Sequence, residues 1–167
     1  MNFALPKTYS MVMPKRKSFK HPHESETIMT EVVFPNDANP LGFLNGGRLV
    51  QWMDTASAVC AQTHAEKIAV TVSLDKMAFR HPAKVGDIIT IKAKVSRAFE
   101  TSMEIYVCAW TRSVFHKENI LVNEAFFTFV AIDEHAKPTQ IPGIKPLSKE
   151  EKSLFRMALL RKKHRHK

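Results

Sequence analysis

The stretch from Arg48 to Ala65 constrains this chain more than any other. Leu49, Met53, Ala56 and Cys60 recur at steps of 4, 3 and 4, which is the stripe of an α-helix. Trp52, Val59 and Ala61 widen the stripe, and Val50 and Ala58 leave little room for a charged face. A helix apolar on most sides has to be surrounded, so the rest of the chain must supply the wrapping.

Beyond the helix the apolar pattern changes to a period of two. Ile68 to Phe79 is rich in β-branched residues. Ile89, Ile91, Ala93 and Val95 alternate with Thr90, Lys92, Lys94 and Ser96, a strand with one wet face. Met103, Ile105, Val107 and Ala109 alternate with Glu104, Tyr106, Cys108 and Trp110. Leu121 to Ile132 is almost continuously apolar, as a central strand is. Val85-Gly86-Asp87 and Glu100-Thr101-Ser102 supply turns between them. Ahead of the helix, Thr27 to Phe34 puts Ile28, Thr30, Val32 and Phe34 on one face of a further strand. Residues 35–47, with two prolines and three glycines, read as a loop.

This order predicts an α+β fold: one antiparallel sheet with a long helix against one face. A single sheet leaves part of so apolar a helix uncovered, which points to a dimer. Residues 1–26 have no period and read as an arm, and 27–133 form the domain. Residues 134–167 hold a linker with Pro138, Pro142 and Pro146, a helix opening at Ser148 and ending at about Leu160, and a basic tail.

The net charge of +9 suggests nucleic acid until it is located. Residues 27–133 carry ten basic and eleven acidic side chains. The excess sits in the ends, at Pro14-Lys15-Arg16-Lys17 and from Arg161 to Lys167, and reads as solvated tails. No nucleic-acid partner is expected. No run of 18 apolar residues is present, so no membrane span is expected, and Met1 to Lys20 lacks the apolar core of a secretory signal. Cys60 and Cys108 fall inside predicted elements, as buried thiols of a reducing cytoplasm do. The eight histidines show no zinc-type spacing with them, and there is neither a G-x-S-x-G nucleophile turn nor a phosphate loop.

Asp54 is the one carboxylate between Ala38 and Ala65, and it sits mid-helix among Trp52, Met53, Ala56 and Ala58. An ionised carboxylate buried without a partner costs several kcal/mol, or its pKa rises by up to ~3–5. Alone, such a residue caps or salt-bridges more often than it catalyses. Its context changes that balance: the loop Asp37-Ala38-Asn39-Pro40-Leu41-Gly42, the pair Gly46-Gly47, Met53-Asp54, the segment Phe79-Arg80-His81-Pro82-Ala83-Lys84-Val85-Gly86-Asp87, and Thr101-Ser102-Met103-Glu104.

With these motifs in register, the chain from Thr27 to Asp133 resembles the acyl-CoA hydrolase family of hotdog thioesterases. Bacterial short-chain acyl-CoA thioesterases and the cytosolic acyl-CoA hydrolase of animals belong to that branch. Asn45 departs from the pattern, since many relatives carry His or an aromatic residue there. The resemblance implies a hotdog fold whose subunits pair with their long helices antiparallel, so that Asn39 of one faces Asp54 of the other. It implies Asp54 as general base or nucleophile, Asn39 as holder of the water or polariser of the carbonyl, and backbone N–H groups of Gly46 and Gly47 for the oxyanion. The CoA thiolate leaves readily, so no catalytic histidine is needed.

Coenzyme A enters as part of the substrate, and no separate cofactor is implied. Arg80, Lys84, Arg97, Thr101 and Ser102 are the candidates for contacting it. The family implies a homo-oligomer with the dimer as minimal active unit and a trimer of dimers as the assembly, in the cytoplasm. Two other readings share the fold: a non-catalytic acyl-CoA-binding regulator, and an acyl-carrier-protein dehydratase. The second uses His with a helical acid, where this loop has Asn39 and Asn45.

Overall fold

A computed structural model of the chain describes residues 18–165. In chain order these form β1 (Phe19–Lys20), β2 (Thr27–Val32), α1 (Gly46–Ala65), β3 (Ile68–Phe79), β4 (Ile88–Ala98), β5 (Ser102–Arg112), β6 (Ile120–Ile132), β7 (Gly143–Ile144) and α2 (Lys149–Arg165). Five strands make one antiparallel sheet in the order β2-β4-β5-β6-β3. The sheet wraps α1, which is the architecture the resemblance implies. No helix among the described residues is long and apolar enough to cross a membrane.

The period-two pattern selects the face that meets α1. Ile89, Ile91, Ala93 and Val95 of β4, Met103, Ile105, Val107 and Ala109 of β5, and Ala125, Phe127, Phe129 and Ala131 of β6 are all buried in one core. Leu49, Met53, Ala56, Cys60 and Ala61 of α1 meet them. Each large aliphatic side chain removed from water here contributes about 1.5–3 kcal/mol. Burial raises the thiol of Cys60 to about 12 and that of Cys108 to about 11, so neither is a ready nucleophile.

Ile28, Val32 and Phe34 share one face as expected; it is the outward face, and Met29 and Val33 turn toward the core. Two expectations need correction. First, α1 is not covered on most sides: in the single chain Gln51, Thr55, Val59 and Gln62 are exposed. Second, α2 does not stop at Leu160, and Arg161 is not a solvated tail residue. Arg161 reaches under the helix to Glu104 of β5, which is fully buried on the sheet face opposite α1. Its Nε donates to one carboxylate oxygen at 3.0 Å and a terminal nitrogen to the other at 2.7 Å. Ser96 donates to the same carboxylate at 2.6 Å, and the guanidinium lies over the Phe126 ring. That pair holds the last turns in place, so the helix runs on into its basic residues. Pro14–Lys17 and the final His166 and Lys167 lie outside the described residues.

Residues 18–20 and the proline-containing segment pack together. β1 and β7 run parallel, and the Nζ of Lys20 donates to the carbonyls of Thr63 and His64. A lysine there satisfies the orphan carbonyls at the end of α1 and opposes the negative end of its dipole. His64 is fully buried, with Nε2 2.9 Å from the Pro142 carbonyl, and this tie fixes the segment to the helix.

Candidate active site

The loop between β2 and α1 is organised by Asp37. Its Oδ2 accepts the N–H of Phe34 at 3.1 Å, and its Oδ1 pairs with Nε of Arg48 at 2.8 Å. Its carbonyl accepts the N–H of Asn45, also at 2.8 Å. One nearly buried aspartate thus ties both ends of the loop to the first turn of the helix. Within the loop, Asn39 N–H donates to the Phe43 carbonyl at 2.7 Å, and Gly42 takes the left-handed conformation (φ +77°) that closes the turn.

This frame decides which way Asn39 faces. Its Oδ1 accepts the backbone N–H groups of Leu41 (3.0 Å) and Phe43 (3.2 Å). Two donors on one side fix the amide orientation, so Nδ2 is the free donor, with no partner among the described residues. Asn39 lines a cleft of about 390 Å³ with Phe43, Gly46, Leu49, Phe79, Arg80 and His81.

The Gly46-Gly47 pair is divided. Asn45, the residue that departs from the family pattern, is the N-cap of α1, and its Oδ1 accepts the Gly47 N–H at 2.8 Å. Gly46 alone lines the cleft, at the helix end where roughly half a positive charge gathers. A Cβ on Gly46 would come within 3.0 Å of the Phe79 ring, so glycine is required for that ring to lie against the helix end.

Asp54 lies elsewhere. It stands eight residues beyond Gly46, about 12 Å along the helix axis, and does not line the Asn39 cleft. It is half-buried in the single chain, not the fully buried acid that its helical neighbours suggest. Its Oδ1 accepts the hydroxyl of Thr71 on β3 at 2.7 Å. Thr71 had no signal in the sequence beyond a hydroxyl within a β-branched strand, because only the packing of β3 against α1 brings it to Asp54. β3 is an edge strand, and it exposes Ile68, Val70, Val72 and Leu74.

The candidates for coenzyme A fall into two groups. Arg80 ion-pairs with Glu124 and lines the Asn39 cleft, and Lys84 stands at the turn beside it, its backbone bridged to Phe43. Val85-Gly86-Asp87 forms the expected turn: Gly86 has φ +90° and Asp87 accepts the Lys84 N–H at 2.8 Å. Arg97, Thr101 and Ser102 sit at the opposite end of the sheet. Arg97 donates to the Phe155 carbonyl at 2.9 Å and lies 3.9 Å from that ring, tying α2 to β4. The Ser102 carbonyl closes the β4–β5 turn by accepting Phe99 N–H (2.7 Å), and the Thr101 carbonyl accepts Ala131 N–H of β6 (2.9 Å).

The family model of the thioesterase superfamily matches residues 41–114. An acyl-CoA thioester hydrolase of Bacillus subtilis, YkhA, is 32% identical over 85% of this chain and 83% of its own length. Mouse acyl-coenzyme A thioesterase 11 is 34% identical over 92% of this chain, which spans only 25% of that protein. Among solved structures, an apo-hexameric acyl-CoA thioesterase superposes with a TM-score of 0.87 at 36% identity, covering 89% of this chain and 96% of that one. A Staphylococcus aureus acyl-CoA hydrolase, solved with butyryl coenzyme A, gives 0.83 at 35% identity over 89% and 90%. With a hotdog sheet around α1, a free amide beside a glycine helix start, and a bacterial relative and solved structures matched along most of their length, this chain belongs to the acyl-CoA thioester hydrolase family of the thioesterase superfamily.

Proposed function

We propose that this protein hydrolyses acyl-CoA thioesters to the free acid and coenzyme A, with Asp54 as general base and Asn39 supplied by a second copy of the chain. The observation that carries this is the Thr71–Asp54 hydrogen bond, read with the position of Asn39. The S. aureus hydrolase has been solved with an Asn, an Asp and a Thr each replaced by Ala. Those positions are 15 and 17 residues apart in that chain. Asn39, Asp54 and Thr71 are likewise separated by 15 and 17.

The chemistry rests on the groups present. Asp54, oriented by Thr71, takes a proton from a water as its oxygen bonds to the thioester carbon. Negative charge on the carbonyl oxygen is met by the N–H of Gly46 at the positive end of α1, with Nδ2 of Asn39 as the second donor. The intermediate collapses, the C–S bond breaks, and the electron pair leaves on the CoA sulfur. Arg80 lines the cleft and Lys84 stands at the neighbouring turn, where guanidinium and ammonium groups suit the phosphates of coenzyme A. Arg97, Thr101 and Ser102 keep a place in this reading only for a portion of coenzyme A that reaches the other end of the sheet.

Assembly is part of the same reading. Asn39 and Asp54 do not share a cleft within one chain. A second copy laid along the free edge of β3 would extend the sheet, cover Val70, Val72 and Leu74, and bring its loop toward Asp54. Related thioesterases are hexameric, which supports a trimer of such dimers. The two unpaired thiols suit a cytoplasmic location.

The test is thiol release from a panel of acyl-CoAs, with Asn39→Ala and Asp54→Ala. Each variant alone should lose orders of magnitude in kcat and keep its oligomeric state. Coexpression should restore roughly a quarter of wild-type activity, because half of the dimers pair one chain of each kind and carry one intact site. Near-normal turnover by either variant, or no recovery in the mixture, would refute the shared site.

A further inference from the structure

Asn123 is a buried amide of the core whose chemistry the proposed reaction does not use. It lies in β6 directly opposite Ala109 of β5 and Phe79 of β3. Residues paired in this way share a face of the sheet, and Ala109 is buried in the core beneath α1. Asn123 is fully buried there, and neither its Nδ2 nor its Oδ1 has a hydrogen-bond partner among the described residues. Leaving such a group unmet costs about 1–3 kcal/mol. Native interiors seldom carry that cost without a reason, and leucine or valine would fill the place.

The surroundings of Asn123 connect it to the active-site cleft. Its chain neighbour Val122 and its cross-strand partner Phe79 both line that cleft, and the Phe79 ring lies against Gly46. The amide therefore stands directly behind the cleft wall, below the glycine proposed to hold the thioester oxygen. Phe79 is 57% exposed and lines the cleft in front of the amide, so a substrate group reaches the amide only where this ring gives way.

We propose that Asn123 is a specificity-determining residue, which hydrogen-bonds a hydroxyl or carbonyl on the acyl chain of the substrate. This rests on the acyl-CoA hydrolase reading and names the class of acyl group within it. An amide presents a donor and an acceptor together, and a hydroxyl is both at once. Residues of a purely apolar pocket distinguish a hydroxyl from a methylene poorly, whereas a buried amide left unpaired penalises the chain that lacks it.

The experiment measures kcat/KM by thiol release for straight-chain acyl-CoAs from butyryl to octanoyl, each beside its β-, γ- and δ-hydroxy derivatives. Wild type should favour at least one hydroxylated chain over its parent by about tenfold or more. Asn123→Leu should move that ratio about tenfold the other way, with no loss of thermal stability. Wild-type ratios near unity or below for every pair would overturn the proposal, and Asn123 would then hold a trapped water only. An unchanged ratio in Asn123→Leu would overturn it as well. The wild-type arm decides the matter even if the variant folds poorly. Failure to hydrolyse any acyl-CoA at all would overturn the underlying reading instead.

Discussion

Thr71→Val removes a single oxygen and keeps a β-branched side chain on β3. The lost interaction is an O–H donated to a carboxylate at 2.7 Å, a charge-assisted hydrogen bond. Bonds of this kind contribute about 1.5–3 kcal/mol. Thr71 is exposed in the single chain, where water competes for Asp54, so the lower figure of about 1.5 kcal/mol applies to an uncovered site. At about 1.4 kcal/mol for each factor of ten, that is roughly a tenfold loss in kcat, rising toward a hundredfold once a second copy excludes water from β3. The hydroxyl touches the carboxylate and not the substrate, so KM should change little. Thr71→Ser should restore most of the rate, because the donor returns without the methyl group. Steady-state thiol release gives kcat and KM, and thermal unfolding shows that the variants are folded. A valine variant within twofold of wild type, or a serine variant no better than valine, would refute the positioning role.

Gly46→Ala sets a methyl group 3.0 Å from the Phe79 ring, so the ring must give way, and the methyl group crowds the cleft beside the proposed oxyanion donor. Helix propensity favours the alanine by up to about 1 kcal/mol, so kcat/KM should fall about tenfold while the melting temperature holds or rises; a parallel fall in both would contradict this. Arg161→Met strands the buried Glu104 carboxylate and should cost about 3–5 kcal/mol in urea unfolding, whereas Arg161→Met with Glu104→Met should recover most of it. Equal stability of the single variant and wild type would show that the pair does not hold α2. Burial pushes the His64 imidazole below its usual range against the pull of the Pro142 carbonyl, so the folded chain keeps it neutral. The unfolded chain takes up that proton below about pH 6.5, so stability should fall as pH drops through that point, by at most about 1.4 kcal/mol per pH unit. His64→Gln should flatten this slope in pH-dependent denaturation, and an unaltered slope would assign it elsewhere.

Periodicity alone specified the long helix, the five strands of the main sheet and most of their inward-facing rows, but not the short parallel pair β1 and β7, whose two residues each are too few for a period. The α1 stripe from Leu49 to Cys60 and the alternating rows of β4 and β5 are buried where their spacing requires, since a side chain's face depends on its own position in helix or strand. The turn at Val85-Gly86-Asp87 was legible because only glycine accepts its left-handed backbone cheaply. Asp54 stands out as a carboxylate among apolar helical neighbours, whereas Asn39, in a polar loop, is singled out only by the family resemblance.

The outward row of β2, the Glu104–Arg161 pair 57 residues apart, and the Thr71 hydroxyl on Asp54 were decided only in three dimensions. So was the loss of the Gly47 donor to Asn45. Local spacing records how each residue is turned about its own backbone. It carries nothing about which element packs on the other side, and hydrogen bonds and ion pairs depend on that distant partner.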